Sequence, residues 1–343
     1  MPAPLLTDIY VADPSAHSFN GRIYVYPSHD RESNIQFNDR GDQYDMADYH
    51  VVSMDKVGGE VIDHGVAMKV EDVKWASKQL WAPDAAKGSD GKYYLYFPAR
   101  NQEGEYLGRG DCNDANNIGI FQIGVAVSDK PEGPFTPDPE PIPKSFSIDP
   151  ASFVDEDGEA YLYFGGIWGG QLQCYSSPSG GKFDPSMDGP HEPSGPGKKA
   201  LLPRVGKLSK DMHTFAEEVR EVQIVDDKGE LLGADDHERR FFEAAWMHKR
   251  DGVYYFSYST GDTHFIAYAT SDSPYGPFKY RGTILEPVVG WTTHHSIVEH
   301  QGKWFLFYHD CELSKGVDHL RSAKAVEIFY DEQGGILPAR PQA

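Results

Sequence analysis

The sequence predicts an all-β fold, a five-bladed β-propeller, and three observations carry that prediction. A phrase recurs five times: Asn20-Gly21-Arg22-Ile23-Tyr24-Val25-Tyr26, Asp90-Gly91-Lys92-Tyr93-Tyr94-Leu95-Tyr96, Asp157-Gly158-Glu159-Ala160-Tyr161-Leu162-Tyr163, Asp251-Gly252-Val253-Tyr254-Tyr255-Phe256-Ser257 and Gln301-Gly302-Lys303-Trp304-Phe305-Leu306-Phe307. Each copy reads as a tight turn feeding an aromatic and β-branched strand, a strong short-range hairpin signal. Copies stand roughly 50 to 95 residues apart, which points to one sheet per repeat in a circular array. A second echo pairs Ala126-Val127-Ser128-Asp129-Lys130-Pro131-Glu132-Gly133-Pro134-Phe135 with Ala269-Thr270-Ser271-Asp272-Ser273-Pro274-Tyr275-Gly276-Pro277-Phe278. Both are strands ending in an Asp-x-Pro-x-Gly-Pro turn with a Phe to anchor it. Composition agrees, since 13% aromatic residues with 35 Gly and 24 Pro suit short strands and many turns.

Taken in order, the first unit covers roughly Asp8 to Asp63, with strands at Ile23–Tyr26 and Tyr49–Met54. The second begins near Trp81 and includes Ile118–Val127; the third begins near Ile148 and carries Leu172–Tyr175. The fourth begins near Phe241 and carries His264–Ala269, and the fifth runs from near Trp291 to near Arg321. A last strand-like run, Ala323–Tyr330, is expected to pack on the propeller or help close the ring. The repeats fill the chain, so residues 1–343 are expected to form a single domain. Asn101 to Asn117, and Ser176 to Gly206, are polar or Pro/Gly/Ser-rich and read as binding rims or tolerated surface insertions.

A net charge of −21 argues against nucleic acid or an anionic membrane as partner and suits a neutral substrate. No stretch has the length and apolarity of a transmembrane helix. The start, Met1 to Leu6, has neither a basic region nor an apolar run, so a cytoplasmic address is expected. Three cysteines, Cys112, Cys174 and Cys311, lack metal-ligand spacing and are expected to be free thiols.

Seven to nine residues upstream of the five turn glycines stand Asp13, Asp84, Asp149, Glu243 and the pair His294-His295. The strand entering each hairpin of a propeller is the innermost, so these positions can converge near the axis. Clustered like charges raise one another's pKa and cost stability, so such a cluster implies a purpose. Glu243 sits in the apolar run Phe241-Phe242-Glu243-Ala244-Ala245-Trp246, where a raised pKa suits a general acid. Adjacent strand residues face opposite sides, so one of His294 and His295 can look at the axis. Asp84 either lines the axis or satisfies backbone amides at a turn. Trp75, Trp168 and Phe37 are candidates for stacking on the apolar faces of a ligand, with ordinary packing as the alternative.

The carriers Ala12-Asp13-Pro14-Ser15, Trp81-Ala82-Pro83-Asp84, Ile148-Asp149-Pro150 with Asp155-Glu156-Asp157-Gly158, Phe242-Glu243-Ala244, and His294-His295-Ser296 followed by Trp304-Phe305-Leu306-Phe307-Tyr308-His309 resemble glycoside hydrolase family 43 over essentially the whole chain. That resemblance implies a five-bladed propeller acting on β-D-xylosides and α-L-arabinofuranosides. It implies Asp13 as general base, Glu243 as general acid, and Asp149 as the carboxylate that holds the acid's pKa up and orients it. Inversion needs two carboxyl groups about 6.5–9.5 Å apart, leaving room for water. The resemblance also implies substrate contacts from Trp81 and Arg321, and a hydrated calcium ion held by His294 or, as the alternative, His295.

The expected function is therefore an inverting exo-glycosidase releasing terminal β-D-xylose from short xylo-oligosaccharides, with no cofactor needed for the chemistry. The alternatives are an α-L-arabinofuranosidase or bifunctional enzyme acting on arabino-oligosaccharides, and a non-catalytic sugar-binding propeller. No carbohydrate-binding module or C-terminal β-sandwich is expected, so loops or a second subunit in a homo-oligomer would close the pocket.

Overall fold

The computed structural model describes residues 2–101, 121–175 and 183–340. Cys112, most of the Asn101–Asn117 loop, the first three residues of the Ile118–Val127 strand and residues 176–182 of the second polar segment lie outside the described residues. The described chain is all-β: its helical pieces are four three-residue 3-10 turns, and everything else regular is strand.

The strands form five groups, antiparallel throughout except for one short parallel edge in the fourth. The first is Tyr10–Phe19, Arg22–Asp30, Asp48–Met54 and Val61–Lys69. The second is Asp84–Lys87, Tyr93–Asn101, Phe121–Ser128 and the short Thr136–Pro137, with Ala76–Lys78 added on Tyr93–Asn101. The third is Ala151–Val154, Ala160–Phe164, Arg204–Lys207 and Arg220–Glu221. The fourth is Glu243–Arg250, Val253–Ser259, Ile266–Ser271 and Phe278–Leu285, edged by Ile224–Val225. The fifth is His295–His300, Lys303–Asp310 and Ser322–Ile328.

The entering strands of the five groups pack on one another in cyclic order. Tyr10–Phe19 touches Asp84–Lys87, which touches Ala151–Val154, then Glu243–Arg250, then His295–His300, which returns to Tyr10–Phe19. The expected closing strand is Ser322–Ile328. It runs antiparallel to Lys303–Asp310 and meets Tyr10–Phe19 through the parallel pair Val11↔Ser322. The first and last groups thus share one seven-stranded sheet.

The five turns split into two kinds. Phe19↔Arg22, Arg250↔Val253 and His300↔Lys303 leave two-residue loops, and Asn20-Gly21, Asp251-Gly252 and Gln301-Gly302 all have positive φ. This is the two-residue turn that matches strand twist. In the second and third groups, Lys87↔Tyr93 and Val154↔Ala160 leave five-residue loops instead. There the Asp side chain accepts from the backbone two residues on: Asp90 from the Lys92 N–H at 3.0 Å, Asp157 from the Glu159 N–H at 2.9 Å. Only the glycine then takes the left-handed region.

Two further expectations are adjusted. Leu172–Cys174 is a 3-10 turn, and the third strand of its group is Arg204–Lys207. The Asp-x-Pro-x-Gly-Pro turns do anchor a buried Phe135 and Phe278, and each is also gripped by the preceding group. The Tyr26 hydroxyl donates to the Pro131 carbonyl at 2.7 Å, and the Tyr163 hydroxyl to that of Pro274 at 2.6 Å.

Candidate active site

All five groups send residues to one pocket, from Asp13 and Tyr44 of the first to Thr292, His294 and Arg321 of the fifth. Asp13, Asp149 and Glu243 reach it because the backbone breaks regular strand geometry beside each. Asp13 lies in a bulge between the Ala12 and Ser15 pairings, and Glu243 borders a bulge running to Trp246. Asp13, Asp149 and Ala244 have φ of 48°, 55° and 59°, left-handed values unusual for residues with a Cβ. Bulges re-aim side chains in this way at the ends of strands.

Asp13 is buried and heavily held. The Arg321 Nη1 donates to its Oδ1 at 2.9 Å, and the Ser28 hydroxyl to its Oδ2 at 2.5 Å. Its backbone N–H donates to His309 Nδ1 at 3.0 Å, so that nitrogen carries no proton. Burial pushes the Asp13 carboxyl up, but Arg321 first, then His309, His294 and the Ser28 hydroxyl, outweigh it and bring it down to about 2. Burial with Arg321 alongside pushes His309 down to about 3, so it is neutral and Arg321 is the charge that counts. Asp30 anchors that arginine, accepting from Nε at 2.8 Å and Nη2 at 2.7 Å.

Glu243 behaves in the opposite way. Burial, with Asp149 and then Asp13 alongside, pushes its carboxyl well above the usual range. Asp149 is itself pushed up to about 8 by burial and by Asp13, while the Ala244 N–H, donating at 2.8 Å, and Arg321 pull it down. The site thus holds one firmly ionised carboxylate beside a protonated acid, the division that acid–base work requires.

His294 is the histidine that faces this centre, its Nδ1 standing 3.8 Å from Asp13 Oδ1 and 3.9 Å from Asp149 Oδ2. His295 turns the other way, with Nε2 2.6 Å from the Ser257 hydroxyl, and is corrected as a ligand toward the axis. Asp84 lies outside the pocket lining and ties three inner strands together. It accepts from the Ser15 hydroxyl, from His17 Nε2 at 2.6 Å, and from the Ser152 N–H and hydroxyl, the last at 2.6 Å.

The aromatic candidates separate. Phe37, Trp81 and Trp168 line the pocket, whereas Trp75 does not. It is 2% exposed and stacks on Phe97 in the core at 5.9 Å, so its expected sugar contact is corrected to packing. Trp81 is fixed by its indole N–H donating to the Tyr44 carbonyl at 2.7 Å, and Trp168 by donation to Glu192 at 2.8 Å.

Sequence reasoning missed Trp291, which packs on Phe37, Trp168 and Phe242 and completes an aromatic rim. It missed Tyr44, whose ring lies under the Arg321 guanidinium at 4.9 Å and whose hydroxyl donates to Asp318. Asp318 also accepts from the Trp291 N–H at 2.9 Å. Asp30 and His309 were missed as well. Each lies in a run of polar residues at the end of its strand, Ser28-His29-Asp30 and His309-Asp310, a signal that does not single either of them out.

A pocket with one carboxylate held ionised, another held protonated and a third interacting with both is the equipment of a glycoside hydrolase. The chain belongs to the glycosyl hydrolases family 43, whose sequence profile matches residues 62–187. It is 68% identical to the xylosidase/arabinosidase 43A of Humicola insolens, over 99% of this chain and 100% of that protein. It is 54% identical to a xylosidase/arabinosidase of Bacteroides ovatus, over 96% and 94%. Among solved structures it is similar to a GH43 β-xylosidase/α-arabinofuranosidase from a compost microbial metagenome, in complex with xylotriose and calcium-free. That match has a TM-score of 0.91 and 54% identity, covering 100% of this chain and 98% of the other. A GH43_1 enzyme from Xanthomonas citri, complexed with xylotriose, matches with a TM-score of 0.88 and 51% identity, covering 99% and 94%.

Proposed function

We propose that this glycoside hydrolase is an inverting, exo-acting β-xylosidase on a five-bladed propeller, releasing terminal β-D-xylose from short xylo-oligosaccharides. The observation that carries the mechanism is the opposed protonation of Asp13 and Glu243 in one pocket. Asp13 takes a proton from water as its oxygen attacks the anomeric carbon. Glu243 gives its proton to the glycosidic oxygen as that bond breaks, and Asp149 keeps the acid protonated and oriented. Phe37, Trp81, Trp168 and Trp291 offer apolar faces to the sugar rings. The cyclic packing of the five entering strands supports the propeller reading. The xylotriose complexes of its structural relatives favour xylose as the substrate sugar.

A second reading, α-L-arabinofuranosidase activity in the same pocket, is favoured by the dual names of the relatives. Aryl β-D-xyloside and aryl α-L-arabinofuranoside assayed side by side decide between them, with Glu243→Ala as control. Higher kcat/KM on the xyloside is expected, and full activity in Glu243→Ala would sink the acid assignment. NMR of the first-formed sugar is expected to show the inverted anomer; retention would overturn the mechanism.

The family resemblance also implies calcium near His294, and the donors present suit only a largely hydrated ion. One imidazole faces the pocket, while Asp13 is held by Arg321 and Ser28, and Asp149 by the Ala244 N–H. Calcium prefers six to eight oxygens, so water would supply most of them. His294 would hold the ion, which would supply positive charge favouring the ionised form of the carboxylates around it. Chelation is expected to lower both activity and melting temperature; no change in either would remove calcium from the proposal.

A further inference from the structure

A cluster on the outer strands of the first group has no part in the hydrolysis. We propose that His29, Asp48 and His50 form a second metal site, selective for a divalent transition-metal ion, with Asp63 orienting His50. Three strands build it. Ser28 pairs with Tyr49, so His29 stands beside Asp48, and His50, two residues on, shares the face of Asp48. Asp63 comes from the next strand, Val61–Lys69.

Among the described residues, the ligand atoms of His29, Asp48 and His50 lie within 4.8 Å of one another. His29 Nδ1 is 2.6 Å from Asp48 Oδ1, and His50 Nε2 is 3.9 Å from the same oxygen. Tetrahedral ligands about 2.0–2.1 Å from zinc stand roughly 3.3 Å apart, so the first distance must open and the second close. Both changes are within reach of side-chain rotation at positions 11% to 24% exposed. That partial exposure also lets water complete the coordination.

The second observation is the far side of His50. Its Nδ1 sits 3.0 Å from both oxygens of Asp63, and Asp63 is fixed in turn by the Gly65 N–H at 2.8 Å. A carboxylate behind an imidazole sets the tautomer, leaving the Nε2 lone pair to bind a metal. The His29 and His50 rings meet edge to face at 4.7 Å, which limits their rotation. Two imidazoles and one carboxylate suit zinc, cobalt, nickel or copper, and suit calcium poorly. Arg31, whose charge is felt at Asp48, is engaged by Asp45 at 2.7 Å. Neighbouring strand residues face opposite sides, so His29 looks away from Asp30 and the catalytic pocket.

Zinc titration of the full chain, followed by calorimetry and by melting temperature, tests the proposal. Wild type and His294→Gln are both expected to bind one zinc ion at this site, whereas His29→Gln and His50→Gln lose it. Asp63→Asn, which keeps every ligand, is expected to weaken zinc binding about 10–100-fold. Cobalt substituted for zinc is expected to give a visible absorption band that His50→Gln abolishes. Retained aryl glycosidase activity in the His29, His50 and Asp63 variants, and an unchanged far-ultraviolet spectrum in all four, establish that they fold, and Asp63→Asn stands in where a histidine variant does not. Zinc affinity and stoichiometry unchanged in His50→Gln and Asp63→Asn would overturn the site, as would zinc binding lost on His294→Gln alone. In either case the cluster is a pair of hydrogen-bonded ion pairs.

Discussion

Arg321 does more at the catalytic centre than any other single side chain, because it serves carboxylates with opposite requirements. It pulls down Asp13, which has to be ionised, and also pulls on Asp149 and Glu243, where a proton has to stay. The pH dependence follows with a definite sign. With Asp13 as the proposed base, which works as a carboxylate, activity on the acid side is expected to be lost as pH falls towards about 2. With Glu243 as the proposed acid, activity on the alkaline side is expected to be lost as pH rises through its raised pKa. Removing the cation raises all three carboxyls. Arg321→Gln is therefore expected to move both limbs of the kcat/KM profile to higher pH, while Arg321→Lys, which keeps the charge, leaves them nearly in place. A profile that only loses height would show that the arginine positions groups without tuning them. The acid has its own signature. Glu243→Gln is expected to lower kcat on xylobiose by about 10²–10⁴-fold, the usual value of general acid catalysis. The loss should be smaller on an aryl xyloside whose leaving group needs no proton, and equal losses on both substrates would argue against the role.

At the scale of elements, what was legible depended on how far apart the cooperating residues lie in sequence. The turns and the carboxylates upstream of them repeat at near-constant offsets, so the meeting of Asp13, Asp149 and Glu243 in one pocket could be read from the order of residues, although the same offset also points to Asp84, which ties strands together outside it. Tyr44, Asp30 and Trp291 could not, because their roles come from contacts with Asp318, Arg321 and Phe37, hundreds of residues away. The same five glycines also concealed two loop lengths, since Asp-Gly serves a two-residue turn and a five-residue one equally well. Trp75 went astray for a related reason: an isolated tryptophan carries no signal of which sheet face it occupies. Its true surroundings allow a sharp check on packing. A Cβ at Gly124 would come within 2.5 Å of Phe97 and 2.8 Å of Trp75, both rings being held in the core. Gly124→Ala is accordingly expected to destabilise by about 1–3 kcal/mol, the usual cost of overpacking. Its melting temperature should fall while KM stays unchanged; an unaltered melting temperature would mean that the rings yield freely.

For the molecule as a whole, the seam between first and last groups is where the fold closes, and a buried ion pair sits close to it. Lys324 on the closing strand is buried, with Nζ 2.6 Å from the equally buried Asp310 and also contacting Glu312. Lys324→Met leaves Asp310 without its cation, and breaking a buried pair on one side costs about 3–5 kcal/mol. Chemical denaturation should show that loss. The double variant Lys324→Met with Asp310→Leu should recover much of it, and no recovery would place the cost in packing instead.

The position of that seam has a consequence for how activity arises during synthesis. Asp13 and the Arg321 that keeps it ionised come from its two sides, 308 residues apart in the chain. A chain growing from its N-terminus emerges with the proposed base 308 residues ahead of that base's counter-ion. Until Arg321 has been added and its strand has docked, Asp13 has no guanidinium to hold its proton off. Turnover by ribosome-bound chains would therefore report the arrival of the strand Ser322–Ile328, and nascent chains that stop short of it should be silent however well their earlier sheets have formed.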